Sequence, residues 1–483
     1  SGDWVPEQHM IHNSQPIEKS VAIIGGGAAG TSTAFWLSNV LPNVKTTLYE
    51  KSNYLGGRST TVKIKDDERW GTIELGASIF VEANKNLMKA TEVFGLNRTD
   101  KETQETSRPR LGIWDGNEFL FQETGTYWDK ITPIWRYGIL SPLKFQQKQK
   151  EVVKEFMKLY EDHEGFETME KMIESLNYQN LVNQTSIEYL KSLGINDRFS
   201  NEVLQSGTRG NYCQDLNRLH PFALMVSMEA GHGTWAVESG NFRIFEEFAS
   251  RSGANVQLET EVTAIHNVTK LDSTGAEIQR YLVQTTKGDQ LFDQVVVSSP
   301  LALSGIQFDF PVEDHHREYH TVHVTLVAGH VNPTYFKKEI QNLPTFIITT
   351  GYPLVQHFEN NQATFQTFSV HRFLENGENV IKIFSSKIMT DQDLEPLFLN
   401  SSWVYRKEWL AFPELSPVST FPHFVLKAEQ EDQSGIIYTG AFENFISTME
   451  TQTVSGKNAA RLIYNKWCHH RYCQPFGDGW GDY

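Results

Sequence analysis

The chain has 483 residues, of which 39% are hydrophobic and 21% charged, and its formal net charge is -16. This length exceeds one ordinary domain, so two domains are expected, and the apolar content excludes a disordered chain. The acidic balance excludes a nucleic-acid surface, which needs clustered Lys and Arg. No uninterrupted apolar run reaches the roughly 18 residues that a spanning helix needs.

Residues 1–17 are polar, contain two prolines and lack periodicity, and read as a loose arm. The Ser1-Gly2 start is expected to be a processed end, with any signal peptide already removed. Val21-Ala22-Ile23-Ile24 is a short apolar run of buried-strand type. A glycine cluster then opens a helix over Ala28 to Asn39, and Thr46 to Glu50 reads as the next strand. Strand, helix and strand in about thirty residues signal a parallel sheet. From about residue 145 to 200 the pattern is helical. Val152, Val153, Phe156, Met157 and Tyr160 form one apolar stripe. Core packing is the first reading of such a stripe; a pocket wall or a membrane contact stays open. Asn255 to Leu258, Val262 to Ile265 and Phe292 to Ser298 read as strands. His320 to about Phe384 is β-rich and suggests an antiparallel sheet, Ile436 to Gly440 is a last strand, and Thr451 to Trp467 a last helix.

The chemistry concentrates near the first helix. Gly25-Gly26-Gly27-Ala28-Ala29-Gly30 matches G-x-G-x-x-G after a strand. Gly25 permits the tight turn, Gly27 lets the backbone approach a pyrophosphate, and Gly30 lets helix and strand pack. The helix N-terminus offers free N–H groups to phosphate, here at Ala28 and Ala29. Glu50, with Lys51 after it, ends the second strand, where a carboxylate binds a ribose diol. Gly56-Gly57-Arg58 follows; Gly57 allows a second close approach and Arg58 can neutralise a diphosphate. This combination resembles FAD enzymes of the glutathione-reductase and amine-oxidase kind. Gly231-His232-Gly233 lacks a third glycine and a preceding strand, so no second dinucleotide site is expected. Oxygen is then the expected electron acceptor. In such flavoproteins Val262 sits where backbone grips adenine, and Ser298 lies in the small-residue turn beside the dinucleotide. Gly440 and Glu443 precede Thr448-Met449-Glu450, whose helix-opening amides can hold the flavin pyrimidine oxygen.

Four further segments carry a closer resemblance. They are Trp135-Arg136-Tyr137-Gly138, Arg209 with Asn211-Tyr212, Trp235-Ala236-Val237-Glu238-Ser239-Gly240-Asn241, and Lys407 to Pro413. With the glycine fingerprint they make the chain, from about residue 18 to residue 467, resemble the prenylcysteine oxidase (prenylcysteine lyase) family. Ser239 and Cys213 depart from it, each standing where the family has glycine. The resemblance implies an α/β fold: a Rossmann-type FAD-binding domain with an inserted antiparallel-sheet and helical substrate domain. The FAD-binding domain is expected over 18–100, 235–305 and 425–467, the substrate domain over 101–234 and 306–424, and a C-terminal tail over 468–483. It further implies noncovalent FAD, a lysosomal, vacuolar or secreted setting, and oxidative cleavage of farnesyl- or geranylgeranyl-cysteine to a prenyl aldehyde, cysteine and hydrogen peroxide. A flavin amine oxidase, and a prenyl-binding escort protein without flavin, are the rival readings.

Little acid–base machinery is needed when the protein mainly orients a hydride donor over a flavin. The catalytic candidates are therefore few. Arg209 and Tyr212 could hold the amino-acid head of the substrate, Trp235 could lie near the cofactor, and His232 could assist water addition. The pairs His315-His316 and His469-His470 lack zinc-site spacing, so no metal is expected. Of three cysteines, Cys468 and Cys473 can pair across a short loop; three reduced thiols is the alternative. Sequons at Asn97, Asn183, Asn267 and Asn400 fit a glycoprotein.

Overall fold

The computed structural model describes residues 17–100, 106–124, 128–312, 317–350, 363–427, 433–468 and 473–483. The arm before residue 17 and both histidine pairs lie outside these residues.

The fold starts from a fully buried strand, β1 (Ser20–Ile24), whose Val21, Ala22 and Ile23 are shielded on both faces. Such burial on both sides is what a near-continuous apolar run requires. Helix α1 (Ala28–Val40) follows, then β2 (Lys45–Tyr49), which pairs in parallel with β1. Strands Asn255–Gln257, Gln294–Val297 and Gln433–Tyr438 extend this parallel sheet, and Val425–Lys427 closes it in the antiparallel sense. One sheet thus draws its six strands from distant parts of the chain. The stretch expected as one strand from Phe292 to Ser298 is two: Phe292 ends a strand of a separate four-stranded sheet, and Gln294 begins the parallel one.

A seven-stranded sheet forms the second layer. It contains Tyr319–Val331, Phe346–Thr349, Thr367–Phe373, Asn379–Ser385 and Phe398–Pro413, with Leu111–Trp114 and Phe119–Gln122 at one edge. Its pairings are antiparallel except where Phe346–Thr349 meets Leu111–Trp114. The alternation expected along Val322, Val324 and Leu326 holds only at first, because Val324 to Ala328 is buried on both faces.

Helices cover the remaining side. Helix α2 (Lys85–Val93) packs on the last helix of the chain, and α3 (Trp128–Tyr137) turns at Gly138 into α4 (Leu140–Phe156). Helix α5 (Gln205–Tyr212) stops at Cys213, which takes the left-handed φ of 52°. That conformation favours glycine, which accounts for the glycine expected at this position. The last helix, α6 (Met449–Cys468), lies along α1. There Gly456 makes the close approach, since a Cβ would stand 2.5 Å from Ser32 Oγ and 2.9 Å from Ala29 O. Cys468 and Cys473 form a disulfide, which settles the pairing left open by the sequence; Cys213 is free. Beyond it the tail returns to the core, with Trp480 packed edge-on against Trp36 at 4.8 Å.

Candidate active site

The turn after β1 builds a cradle of backbone. Gly25 has φ +112°, and a Cβ there would lie 2.6 Å from the Ser298 carbonyl oxygen. Gly30 is needed for contact: its Cβ would sit 1.7 Å from Gly25 O. Gly27 is different, because its Cβ would meet only Gly57 Cα, at 3.8 Å, and would project into a cavity. Helix α1 has no side-chain N-cap. Its first-turn amides at Ala28, Ala29 and Gly30 therefore keep their donors for a ligand. The Glu50 carboxylate at the end of β2 accepts from Gly26 N at 2.9 Å and from Ser52 N at 2.8 Å. These two bonds fix its orientation on the cavity wall and leave further lone pairs for a diol. Lys51, Gly57, Val262, Ser298, Gly440, Thr448 and Met449 line the same cavity. Bare glycine backbone, uncapped amides and an oriented carboxylate fit the pyrophosphate and ribose of a dinucleotide such as FAD.

Two cofactor expectations need correction. Arg58 lines the cavity, but its guanidinium makes parallel bonds to Glu443 at 2.8 and 2.7 Å and donates to Ala411 O at 2.6 Å. Its charge is matched by Glu443 and is not left over for a diphosphate; the ion pair in turn holds its proton more tightly than usual despite burial. Glu450 opens α6, yet its carboxylate accepts from Asn86 N, Leu87 N and Tyr160 Oη at 3.0, 2.8 and 2.7 Å. It caps α2, not a flavin. Burial pushes this carboxyl up to about 7, against the opposing pull of those donors. Thr448 and Thr451 cap each other at the start of α6. The Met449 and Glu450 amides are then the donors this helix end can offer.

The catalytic candidates separate. Tyr212 lines the cavity, buried, with its hydroxyl donating to Ser447 O at 3.1 Å and its ring edge-on to Phe412. Arg209, one turn earlier on α5, does not line it. Its guanidinium bonds Thr349 Oγ1 and Asp215 at 3.1 Å each, tying α5 to the seven-stranded sheet. Trp235 also lies off the cavity, under Arg98, although Thr234, Ala236 and Val237 beside it are on the wall. His232 is exposed and pairs with Gln149 at 3.1 Å, away from the cavity. Arg209 and Trp235 were chosen for their place in a motif, and in each case the neighbouring residues, Gly210 and Asn211 or Thr234 and Ala236, line the cavity instead.

Sequence reasoning missed Lys382. It is buried, lines the cavity, and donates to Glu74 O at 2.8 Å, Gly76 O at 3.3 Å and Ser78 Oγ at 2.6 Å. A lysine inside the apolar run Asn379–Ser385 was the available signal.

Beyond the cradle the cavity turns apolar. Val152, Val153 and Phe156 of α4, and Met157 just after it, line it together with Phe222, Met225 and Val226. Phe384, Trp409, Leu410 and Phe412 line it from the seven-stranded sheet. The stripe read from the sequence is thus a pocket wall as well as core packing. The whole cavity measures about 1510 Å³. That exceeds the roughly 300–1,000 Å³ of a site for one drug-sized ligand, so a cofactor and a sizeable apolar substrate fit together.

Fold and cradle define an oxidoreductase built on the architecture of flavin oxidases. Among solved structures, putrescine oxidase bound to putrescine superposes with a TM-score of 0.59 at 12% identity, covering 93% of this chain and 99% of that one. A putative protoporphyrinogen oxidase from Exiguobacterium sp. 255-15 superposes with a TM-score of 0.57 at 14% identity, covering 94% and 100%. The NAD(P)-binding Rossmann-like domain family matches residues 23–92, and the prenylcysteine lyase family matches residues 121–474. The chain belongs to the prenylcysteine lyase family. Its relatives include prenylcysteine oxidase 1 of Homo sapiens, 28% identical over 93% of this chain and 90% of the relative. Farnesylcysteine lyase of Arabidopsis thaliana is 30% identical over 93% and 88%.

Proposed function

We propose that this protein binds FAD noncovalently and cleaves the thioether of a farnesyl- or geranylgeranyl-cysteine. The balanced reaction takes the thioether, oxygen and water to a prenyl aldehyde, free cysteine and hydrogen peroxide. The observation that carries the reading is the continuity of the glycine cradle with the apolar chamber in one cavity. Family membership, and the substrate in the name of the Arabidopsis relative, support the same choice.

Bound FAD supplies a two-electron acceptor for a hydride from the carbon beside sulfur, and passes those electrons to oxygen. That carbon is also allylic, so both neighbours stabilise the cation left behind. Water adds to it, and the hemithioacetal collapses to aldehyde and thiol. The chain's own residues act mainly by orientation. Gly27, Gly57 and the α1 amides would hold the diphosphate, Glu50 would hold the ribose, and the Met449 and Glu450 amides would be donors for the flavin. The apolar wall from α4 and Pro221–Met228 takes the prenyl chain.

A lysosomal, vacuolar or secreted setting belongs to the same proposal. It is supported by the Cys468–Cys473 disulfide, which suits an oxidising compartment, and by the exposed sequon residues Asn97, Asn183 and Asn400. The deciding experiment is spectroscopic. The purified chain should absorb near ~450 nm as a flavoprotein and should bleach anaerobically with farnesylcysteine, releasing one thiol per flavin reduced. A colourless protein would return the escort reading, and bleaching by putrescine but not by farnesylcysteine would return an amine oxidase.

A further inference from the structure

The corner between α3 and α4 holds large apolar side chains out in solvent. Ile134, Trp135, Ile139, Leu140 and Leu143 are all exposed, Trp135 at 84% and Leu140 at 70%. The ten residues 134–143 supply five of the fifteen exposed large apolar side chains found among the described residues. Scattered exposed apolar residues need no explanation, but a contiguous cluster marks an interaction surface.

The corner is also held rigidly. Arg136 makes two parallel bonds to Glu202 at 2.6 and 2.7 Å, and Asn196 donates from its side-chain amide to Tyr137 O at 2.9 Å and from its backbone N–H to Ser141 Oγ at 2.8 Å. The side chains facing inward, Tyr137 and Phe145, pack on Phe199. The outward apolar set is therefore presented by a locked scaffold.

Its charge runs against that of the chain. From Lys130 to Lys150 there are five basic residues and no acidic one, while the whole chain carries -16. Arg136 is matched by Glu202 and Lys148 by Glu151 at 3.3 Å. Lys130, Lys144 and Lys150 are exposed around the apolar corner. An exposed Trp and aliphatic residues ringed by lysines is the composition of a surface that sits in a membrane interface and is drawn to anionic lipid. Among the described residues no helix is long and apolar enough to cross a bilayer, so this contact would lie in the interface plane.

We propose that the α3–α4 corner docks on an anionic lipid bilayer. The geometry connects this to the cavity, because α4 runs from the corner to the apolar wall. Leu140 lies in the corner, and Val153, Phe156 and Met157 line the cavity. At 1.5 Å per residue the two ends are about 20 Å apart. A second copy of the chain is the weaker occupant. Ten residues fall well short of the roughly 20–30 a side of a stable interface, and a two-fold contact would set lysines against lysines. The inference is independent of the oxidation chemistry, because it is read by binding alone.

The test is vesicle flotation of the flavin-loaded full chain. One set of vesicles is phosphatidylcholine, and the other contains roughly one-third phosphatidylserine. The expected result is flotation with the anionic vesicles, weakened by high salt. The double variant Trp135→Ser/Leu140→Ser should bind at least ~tenfold less, because the apolar anchor is gone. Lys144→Glu/Lys150→Glu should lose the preference for anionic lipid. Melting temperatures equal to that of the unsubstituted protein show that the variants fold. Failure of the unsubstituted protein to float, or equal flotation of folded variants, overturns the proposal. A dimer in sedimentation that the double variant dissociates also overturns it, in favour of a self-association surface.

Discussion

Arg58 and Glu443 meet through two parallel hydrogen bonds, 2.8 and 2.7 Å long, although 385 residues separate them. Tyr319 Oη donates to the same carboxylate at 2.8 Å, and Arg58 reaches Ala411 O on the long sheet strand. One ion pair thus joins the glycine-rich turn after β2, the seven-stranded sheet and the approach to α6. These are the parts that must hold still for a dinucleotide and a substrate to meet.

Removing the Glu443 charge should loosen all three parts. Glu443→Gln leaves Arg58 with an unmatched charge beside a buried amide. The expected cost is about 2 kcal/mol in unfolding free energy, below that of a fully buried pair because the Arg58 side chain is 34% exposed. Urea unfolding measures it, and flavin retention on gel filtration should fall in parallel. Unchanged stability and retention would show that the pair is not a joint.

The two inner glycines should fail in different ways. Gly27→Ala places a methyl in the cavity, with Gly57 Cα at 3.8 Å as its nearest neighbour. It should fold normally by circular dichroism and lose its flavin. Gly30→Ala drives a methyl to 1.7 Å from Gly25 O, inside contact distance, and should give little folded protein. A yellow, folded Gly27→Ala protein would remove the cradle from the cofactor site.

This contrast shows what was legible in the sequence. Glycines in a turn are constrained by backbone geometry that acts within a few residues, so Gly25, Gly27 and Gly30 could be read in place. The Arg58–Glu443 pair and the Glu450 cap depend on partners hundreds of residues away, and local pattern carries no information about them. Arg209 and Trp235 fail for a related reason. Motif position locates a backbone segment, but whether a side chain points into a cavity is fixed by packing, as Thr349 and Asp215 do for Arg209. The disulfide is the intermediate case: proximity in sequence permitted it, and the structure forms it.

The apolar wall should measure the length of the substrate. Val153 is half-buried on α4 and lines the cavity. Val153→Trp shortens the slot without touching the cradle. The KM for geranylgeranylcysteine should rise by about tenfold more than that for farnesylcysteine, the scale of a few methylene contacts, with the flavin spectrum unchanged. Equal effects on the two chain lengths would mean that the prenyl group lies elsewhere.

The Glu450 cap should give the fold a pH signature. Its folded pKa, about 7, lies above the ordinary 4.5, so the native state holds an extra proton between those values. Stability from this group is then greatest at low pH, declines as pH rises through about 4.5 to 7, and is level above. Buried His163 and His220 act in the opposite sense. Burial lowers them to about 4 and about 3, so the folded rings stay neutral while the unfolded ones take up protons, and the stability they contribute is lost progressively as pH falls below about 6.5. The net melting curve mixes these terms, and the difference between the protein and Glu450→Gln isolates the first. Protonated Glu450 can accept from Asn86 N and Leu87 N while donating to Tyr160, whereas the Gln amide nitrogen cannot accept the Asn86 N–H. The variant should therefore melt well below the parent near about pH 5, with the gap closing toward about pH 8 as the parent ionises its buried carboxyl. Parallel melting curves across that range would show that Glu450 stays charged in the folded protein.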